Sequence, residues 1–282
     1  DFPSIIKRSR DIADGMSTGI AYLMKKNKIE VINGYGKVLK GKKVSVTVDG
    51  KHTEYTAKNI IIATGARSRV LPNIPQDGTK IIGYREALSL SSAPKKMVII
   101  GSGAIGVEFA YFYKVMGTEV TVVEFMPNIV PVEDVDISKQ LGRSLKKSGI
   151  KIMTNSSVES VDTKGNGCKV LVKGKKGEEI IECDVVLSAV GIEANIENIG
   201  LEEVGIKTER GRVLVDDFYQ TNVPGYYAIG DILPTQALAH VASAEGIVCV
   251  EKIAGHNPEP IDYGNIPGCT YCSPEIASVG MT

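Results

Sequence analysis

Three glycines in this chain are spaced to receive a phosphate. They stand in Lys96-Met97-Val98-Ile99-Ile100-Gly101-Ser102-Gly103-Ala104-Ile105-Gly106, a Gly-x-Gly-x-x-Gly run that follows an apolar stretch and opens a helical pattern. In that setting Gly101 makes a tight turn, Gly103 lets a pyrophosphate approach the backbone, and Gly106 lets helix and strand pack closely. The helix that begins at Ala104 and Ile105 turns its unpaired N–H groups toward the phosphates. Glu124 closes the next apolar run, 18 residues after Gly106. A carboxylate there can accept both hydroxyls of a ribose and would repel a 2′-phosphate. No basic residue directly follows it, since Phe125 and Met126 come next. These residues therefore read as a site for NAD in preference to NADP. The plainer alternative is a glycine-rich turn serving another ligand.

The elements that must position this site follow from periodicity. Ile5, Ile6, Ile12, Met16, Ile20, Leu23 and Met24 recur at near-helical spacing in a Lys- and Arg-rich segment, an amphipathic helix. Short strands are expected over 30–32, 43–48 and 52–55, with Asp49-Gly50 as a hairpin signal. Residues 59–63 form a buried strand that ends at Thr64-Gly65. A turn-rich linker over 72–83 leads to a short helix near 86–90. Strand 97–100, helix 104–116, strand 119–123, helix 136–147 and strand 150–153 then give a βαβαβ pattern. A β meander over 158–161, 169–172 and 179–181 follows, and 185–190 closes the unit. Strands 213–215 and 226–229 and a helix over 239–254 complete the reading. The fold class is α/β, with two Rossmann-like nucleotide-binding units.

Composition sets the outer bounds. The chain has 282 residues, 43% of them hydrophobic, with 33 basic and 33 acidic side chains. That balance gives no footprint for nucleic acid or an anionic membrane surface. No apolar run approaches the roughly 20 residues needed to span a bilayer. The opening residues do not read as a signal peptide. The chain starts at Asp1 and enters a helical pattern at once, so it is expected to begin inside a larger protein. Five cysteines, an odd and sparse set, suit a reducing compartment, and a cytoplasmic location is expected.

Further stretches extend the reading. They are Ile61-Ile62-Ala63-Thr64-Gly65-Ala66, Ala189-Val190-Gly191, Tyr227-Ala228-Ile229-Gly230-Asp231, Leu238-Ala239-His240-Val241-Ala242 with Glu245-Gly246, and Ser273-Pro274-Glu275-Ile276-Ala277-Ser278-Val279-Gly280. Together with the glycine run and Glu124, they resemble the pyridine-nucleotide disulfide reductase family, in order and over nearly the whole chain. The resemblance implies a partial FAD-binding domain over 1–92, an inserted NAD-binding domain with a meander over 93–211, a return to the FAD domain over 212–262, and the start of a dimer-interface domain over 263–282.

The resemblance also implies roles. Asp231 would bond a ribityl hydroxyl of FAD, although a strand-end Asp can also cap the following turn. Ala237, Leu238, Ala239 and His240 would line the flavin's ring and sugar, with His240 not catalytic. Thr64, Gly65 and Ala66 would form the turn that passes the flavin, and Gly36 would meet its adenine. Glu108 would lie near the nicotinamide, although an early-helix Glu also suits the helix dipole. Val158 and Gly191 would give backbone contacts to NAD, or serve as ordinary core and turn residues.

The activity implied is oxidation of dihydrolipoamide to lipoamide, with electrons passing through FAD to NAD. A lipoyl domain of a 2-oxo-acid dehydrogenase complex would be the partner, and the parent would be a homodimer. An NADH oxidase, a soluble transhydrogenase or a non-catalytic NAD-binding module are alternatives. Against the family pattern, this sequence has no second glycine motif for the flavin's pyrophosphate and no C-x-x-x-x-C redox pair. The interface domain is expected only as its opening strand, without its acid/base His-Glu pair. Gly191 is followed by Ile192-Glu193 where many members carry Arg. The chain is thus expected to be a fragment, inactive by itself, with no catalytic or metal-ligating residue of its own. Cys269-Thr270-Tyr271-Cys272 reads as structural, because no second pair completes four zinc ligands.

Overall fold

Residues 1–281 are described by a computed structural model. The chain forms two compact units. One comprises residues 1–23, 68–191 and those from Ile266 onward; the other comprises 24–67 and 192–265. These divisions fall at other places than the expected boundaries at 92/93, 211/212 and 262/263.

The first unit is built on a five-stranded parallel sheet in the order Ile81–Ile82, Val185–Ser188, Lys96–Ile100, Glu119–Val123, Lys151–Met153. Its strands are mostly apolar past their charged first residues, Lys96, Glu119 and Lys151, because both faces are covered. Met97, Ile99 and Leu187 face the helices Ala104–Val115 and Val135–Lys147. Val98, Ile100 and Val186 face the meander Ser157–Asp162, Cys168–Gly174, Gly177–Cys183. Alternation with a period of two sends neighbours to opposite faces. Asp134 starts the second helix by accepting from the N–H groups of Asp136 and Ile137. Tyr113 is fully buried in the helix layer, donates to the Ala87 carbonyl, and has its phenol pushed up to about 12 by burial.

The second unit holds an antiparallel sheet, Tyr35–Leu39, Lys43–Val48, Lys51–Thr56, and a parallel pair, Ile60–Ile62 with Tyr226–Ala228. The helix Ala239–Ile253 packs its Val248 and Cys249 into a core with Val213, Tyr226 and Ile232.

The sequence-based elements hold with local corrections. The first strand is not 30–32 but Tyr35–Leu39: the turn at Gly41 and Lys42, both at positive φ, folds 43–48 back onto 35–39, while Val31 and Ile32 are exposed and unpaired as strand. The short helix is Tyr84–Ala87 and starts earlier than expected, because the Glu86 carboxylate accepts from the Gly83 N–H at 2.9 Å and sets the helix start there. The strand expected at 213–215 shortens to Arg212–Val213, and Val215 makes only an isolated bridge to Thr221. The amphipathic helix is present as Phe2–Lys26, with Ile12, Met16, Ile20 and Leu23 exposed.

Candidate functional site

In the first unit the glycine turn, the end of the next strand and the start of the meander converge on one cavity of about 610 Å³. Gly101, Ser102, Gly103, Glu124, Val158 and Gly191 all line it. Each glycine has its own reason. Gly101 sits at φ +97°, where a side chain is strained, and a Cβ there would strike the Ala189 carbonyl. A Cβ on Gly106 would strike the Gly101 carbonyl, so only glycine lets the helix approach its strand this closely. Gly103 is different: a Cβ there meets nothing within 4 Å and would project into free space. That is the arrangement a pyrophosphate needs, with tight backbone behind and an open approach in front. Ala104 and Ile105 form the first helical turn beside the cavity.

Glu124 is 7% exposed and is the acid of the cavity wall. Its Oε2 accepts from the Ser102 N–H at 2.8 Å and from the Ser102 hydroxyl at 2.6 Å, and its Oε1 accepts from the Met126 N–H at 2.7 Å. Ser102 is wholly buried. The carboxylate therefore holds the glycine turn and lines the cavity at once. The hold on the glycine turn was not legible from spacing alone.

Glu108 stands apart from the other expected NAD residues. Its Oε1 accepts from the Tyr271 N–H at 2.8 Å, and it lines a separate apolar cavity of about 390 Å³ with Ile5, Phe109 and Phe112. The helix turns this position toward the strand Gly268–Thr270 and away from the glycine loop. Conversely, Arg69, Asn73 and Ser157 line the cavity at the glycine turn and carried no sequence signal. The Arg69 N–H donates to the Gly191 carbonyl at 3.0 Å, which brings the two segments together.

In the second unit the parallel register pairs Ile60 with Tyr226 and Ile62 with Ala228. The turns Thr64–Ala66 and Gly230–Asp231 therefore leave from the same carboxyl edge, where α/β sheets receive ligands. Thr64 donates to the Asn195 carbonyl at 2.7 Å, and Gly65 takes φ +68°. The Asp231 carbonyl accepts from Arg212. The N-cap of this turn is Ile229, which gives no side-chain cap, and Asp231 is the acid of its first turn.

The turn is held instead by Glu245, which is fully buried. Its Oε2 accepts from the Gly230 N–H at 2.6 Å, and its Oε1 accepts from the hydroxyls of Thr235 and Tyr263 at 2.9 and 2.8 Å. Tyr219 and Tyr263 share a further hydroxyl contact at 3.0 Å. Ala237, Ala239 and His240 are exposed, and half-buried Leu238 is the N-cap of the helix Ala239–Ile253, with no side-chain cap. The first-turn N–H groups are thus open to an acceptor. Gly36 lies on the antiparallel sheet, exposed and paired with Val46.

Of the late cysteines, Cys269 is exposed, whereas Cys272 is buried with its thiol pushed up to about 11, mainly by burial. The two do not form a paired site. No cluster of three or more His, Cys, Asp or Glu side chains placed to hold a metal occurs among the described residues.

A parallel sheet with a glycine turn feeding a helix N-terminus, and an acid at the end of the next strand, define a dinucleotide-binding protein of Rossmann type. The chain belongs to the pyridine nucleotide-disulphide oxidoreductase family, whose pattern matches residues 1–246. It is 47% identical to a dihydrolipoyl dehydrogenase of Rhizobium etli, an alignment covering 100% of this chain and 62% of the relative. It is 44% identical to a dihydrolipoyl dehydrogenase of Zymomonas mobilis, covering 100% of this chain and 61% of that protein. Among solved structures it is similar to LpdA of Mycobacterium tuberculosis, with a TM-score of 0.92, 31% identity, and coverage of 99% of this chain and 62% of that one. It is also similar to the HOCl-induced flavoprotein disulfide reductase RclA of Escherichia coli, with a TM-score of 0.88, 26% identity, and coverage of 100% and 64%. The chain spans about three fifths of the length of the curated relatives it matches.

Proposed function

We propose that this chain is the nucleotide-binding part of an NAD-linked flavoprotein that oxidises dihydrolipoamide to lipoamide and passes the electrons through FAD to NAD. The observation that carries the reading is the glycine turn latched by Glu124 in a chain that aligns throughout with dihydrolipoyl dehydrogenases. Gly101, Gly103 and Gly106 shape the pyrophosphate cradle, and the turn at Ala104 and Ile105 directs N–H groups at it. Glu124 meets the adenosine ribose and excludes a 2′-phosphate by charge. Val158 and Gly191 supply further wall contacts to NAD. Asp231 orients a ribityl hydroxyl, Thr64, Gly65 and Ala66 pass the flavin edge, and Ala237, Leu238, Ala239 and His240 line its ring and sugar. Gly36 meets its adenine. FAD, when bound, supplies the two-electron carrier between dithiol and nicotinamide. The place of Glu108 in a separate cavity gives no support to a nicotinamide contact.

In this reading the protein is a cytoplasmic homodimer that works on a lipoyl domain of a 2-oxo-acid dehydrogenase complex. No described helix is long and apolar enough to cross a membrane. The test is turnover by the full-length protein: dihydrolipoamide plus NAD should give flavin-dependent NADH. Flavin that is reduced by NADH, in a protein inert to dihydrolipoamide, would move the reading to another electron acceptor.

A further inference from the structure

Two thiols outside the nucleotide cavity stand face to face. Cys168 opens the strand Cys168–Gly174 and Cys183 closes the strand Gly177–Cys183, and the antiparallel register pairs them directly. Directly opposed residues in such a ladder have Cα atoms about 4.5–5.5 Å apart, within the roughly 4.4–6.8 Å that a disulfide spans. Both side chains belong to the same buried cluster under the parallel sheet, and they are 2% and 6% exposed. Cys168 Sγ donates to the carbonyls of Lys80 and Asp184, each at 3.8 Å. Both are free thiols. A cavity of about 490 Å³ at the Gly165–Gly167 turn is lined by both cysteines with Lys96, Lys164 and Asp184, and it gives a small solute a way in.

We propose that Cys168 and Cys183 are a modification site, a dithiol that hydrogen peroxide oxidises to a disulfide across the meander. Burial pushes both thiols up, Cys183 to about 12. At Cys168 the Lys80 ammonium opposes that effect by more than the Asp77 carboxylate adds to it, whereas at Cys183 the Asp184 carboxylate adds to it. Cys168 is therefore the sulfur that ionises first and attacks, because the thiolate is the nucleophile. Its Sγ bonds to one peroxide oxygen, the O–O bond breaks, and the first water leaves. The Cys183 sulfur then displaces the oxygen from Cys168 Sγ, the S–S bond forms, and the second water leaves. Two thiols and one peroxide give one disulfide and two waters. The sulfurs lose two electrons and the peroxide takes them. Because the thiolate fraction is small, the site responds to sustained oxidant and not to brief pulses. The bridge would tie the middle strand of the meander to its last strand and constrain the unfolded chain.

The test is made on the chain itself. Reduced protein is exposed to graded hydrogen peroxide, then alkylated in denaturant, digested without reductant and mapped by mass spectrometry. The expected result is joint loss of two alkylatable thiols and a Cys168–Cys183 linked peptide that dithiothreitol reverses. Thermal unfolding should rise by roughly 5 °C on oxidation, and not in Cys168→Ser or Cys183→Ser. Full alkylation of Cys168 and Cys183 under conditions that oxidise exposed Cys269 would overturn the proposal. So would their conversion to separate sulfinic acids. The peptide map uses the unsubstituted chain, so it decides the matter even if either serine variant fails to fold.

Discussion

The two turns proposed to receive nucleotides solve the same problem with different divisions of labour. Each leaves the carboxyl edge of a parallel strand, and each has a buried carboxylate bonded to its backbone N–H groups. In the first unit Glu124 both latches the turn, through Ser102, and lines the cavity. In the second, Glu245 holds Gly230 from within the core, and the adjacent Asp231 carries a carboxylate free of that task. An acid with one task can be altered without disturbing the other; an acid with both cannot. Substitution of Glu124 should therefore couple stability to ligand affinity, and substitution of Glu245 or Asp231 should separate them.

The largest effect should come from Gly106→Val. Its side chain meets the Gly101 carbonyl, and overpacking of this kind costs about 1–3 kcal/mol or more, with NADH binding lost as well. Gly103→Ala sharpens the contrast: it should leave thermal unfolding nearly unchanged and weaken NADH at least tenfold, because its Cβ enters open space. Calorimetric titration and thermal unfolding on both variants check the pair.

Glu245→Ala should come next. It strands the Gly230 N–H and the hydroxyls of Thr235 and Tyr263 in the core, at a cost of about 3 kcal/mol, while NADH affinity stays as in the parent. Glu124→Ala should do the reverse in part. It should lower stability by about 1 kcal/mol, weaken NADH roughly tenfold and relax the preference over NADPH. Unchanged preference in that variant would remove the role given to Glu124.

A moderate effect concerns FAD. The second unit carries no Gly-x-Gly-x-x-Gly run, so these 282 residues should bind NADH yet retain little flavin. Stoichiometric FAD absorbance in the purified chain would contradict this.

The smallest effect belongs to the surface. Arg67 meets Glu197 through two hydrogen bonds at 3.0 and 2.8 Å and Glu193 at 2.8 Å, all on exposed side chains. The Arg67 guanidinium lowers the Glu197 carboxyl to about 2. A lowered folded value means the contribution is present above the unfolded value, ordinarily about 4.5, and is lost as pH falls toward 2. Solvent screening keeps it under about 1 kcal/mol. Glu197→Gln should flatten unfolding midpoints only in that acid window.

Much of this was legible in the sequence, because it rests on local pattern. The glycine run, the strand before it and Glu124 all lie within one βαβ unit, where period and spacing speak directly. What stayed hidden depends on partners distant in the chain. Glu245 is buried beside Gly230, Thr235 and Tyr263, and only the folded core shows that its charge is satisfied. Arg69 and Ser157 reach the cavity from segments with no motif. Glu108 shares a helix with the glycine turn, yet its azimuth sends it to Tyr271. Cys168 and Cys183 look like two scattered cysteines until the meander register sets them opposite each other.

The most direct test titrates NADH and NADPH into the 282-residue chain by calorimetry. Saturable one-to-one binding of NADH is expected, with at least tenfold weaker binding of NADPH. Equal affinities, or no binding of either, would contradict the nucleotide site on which the account rests.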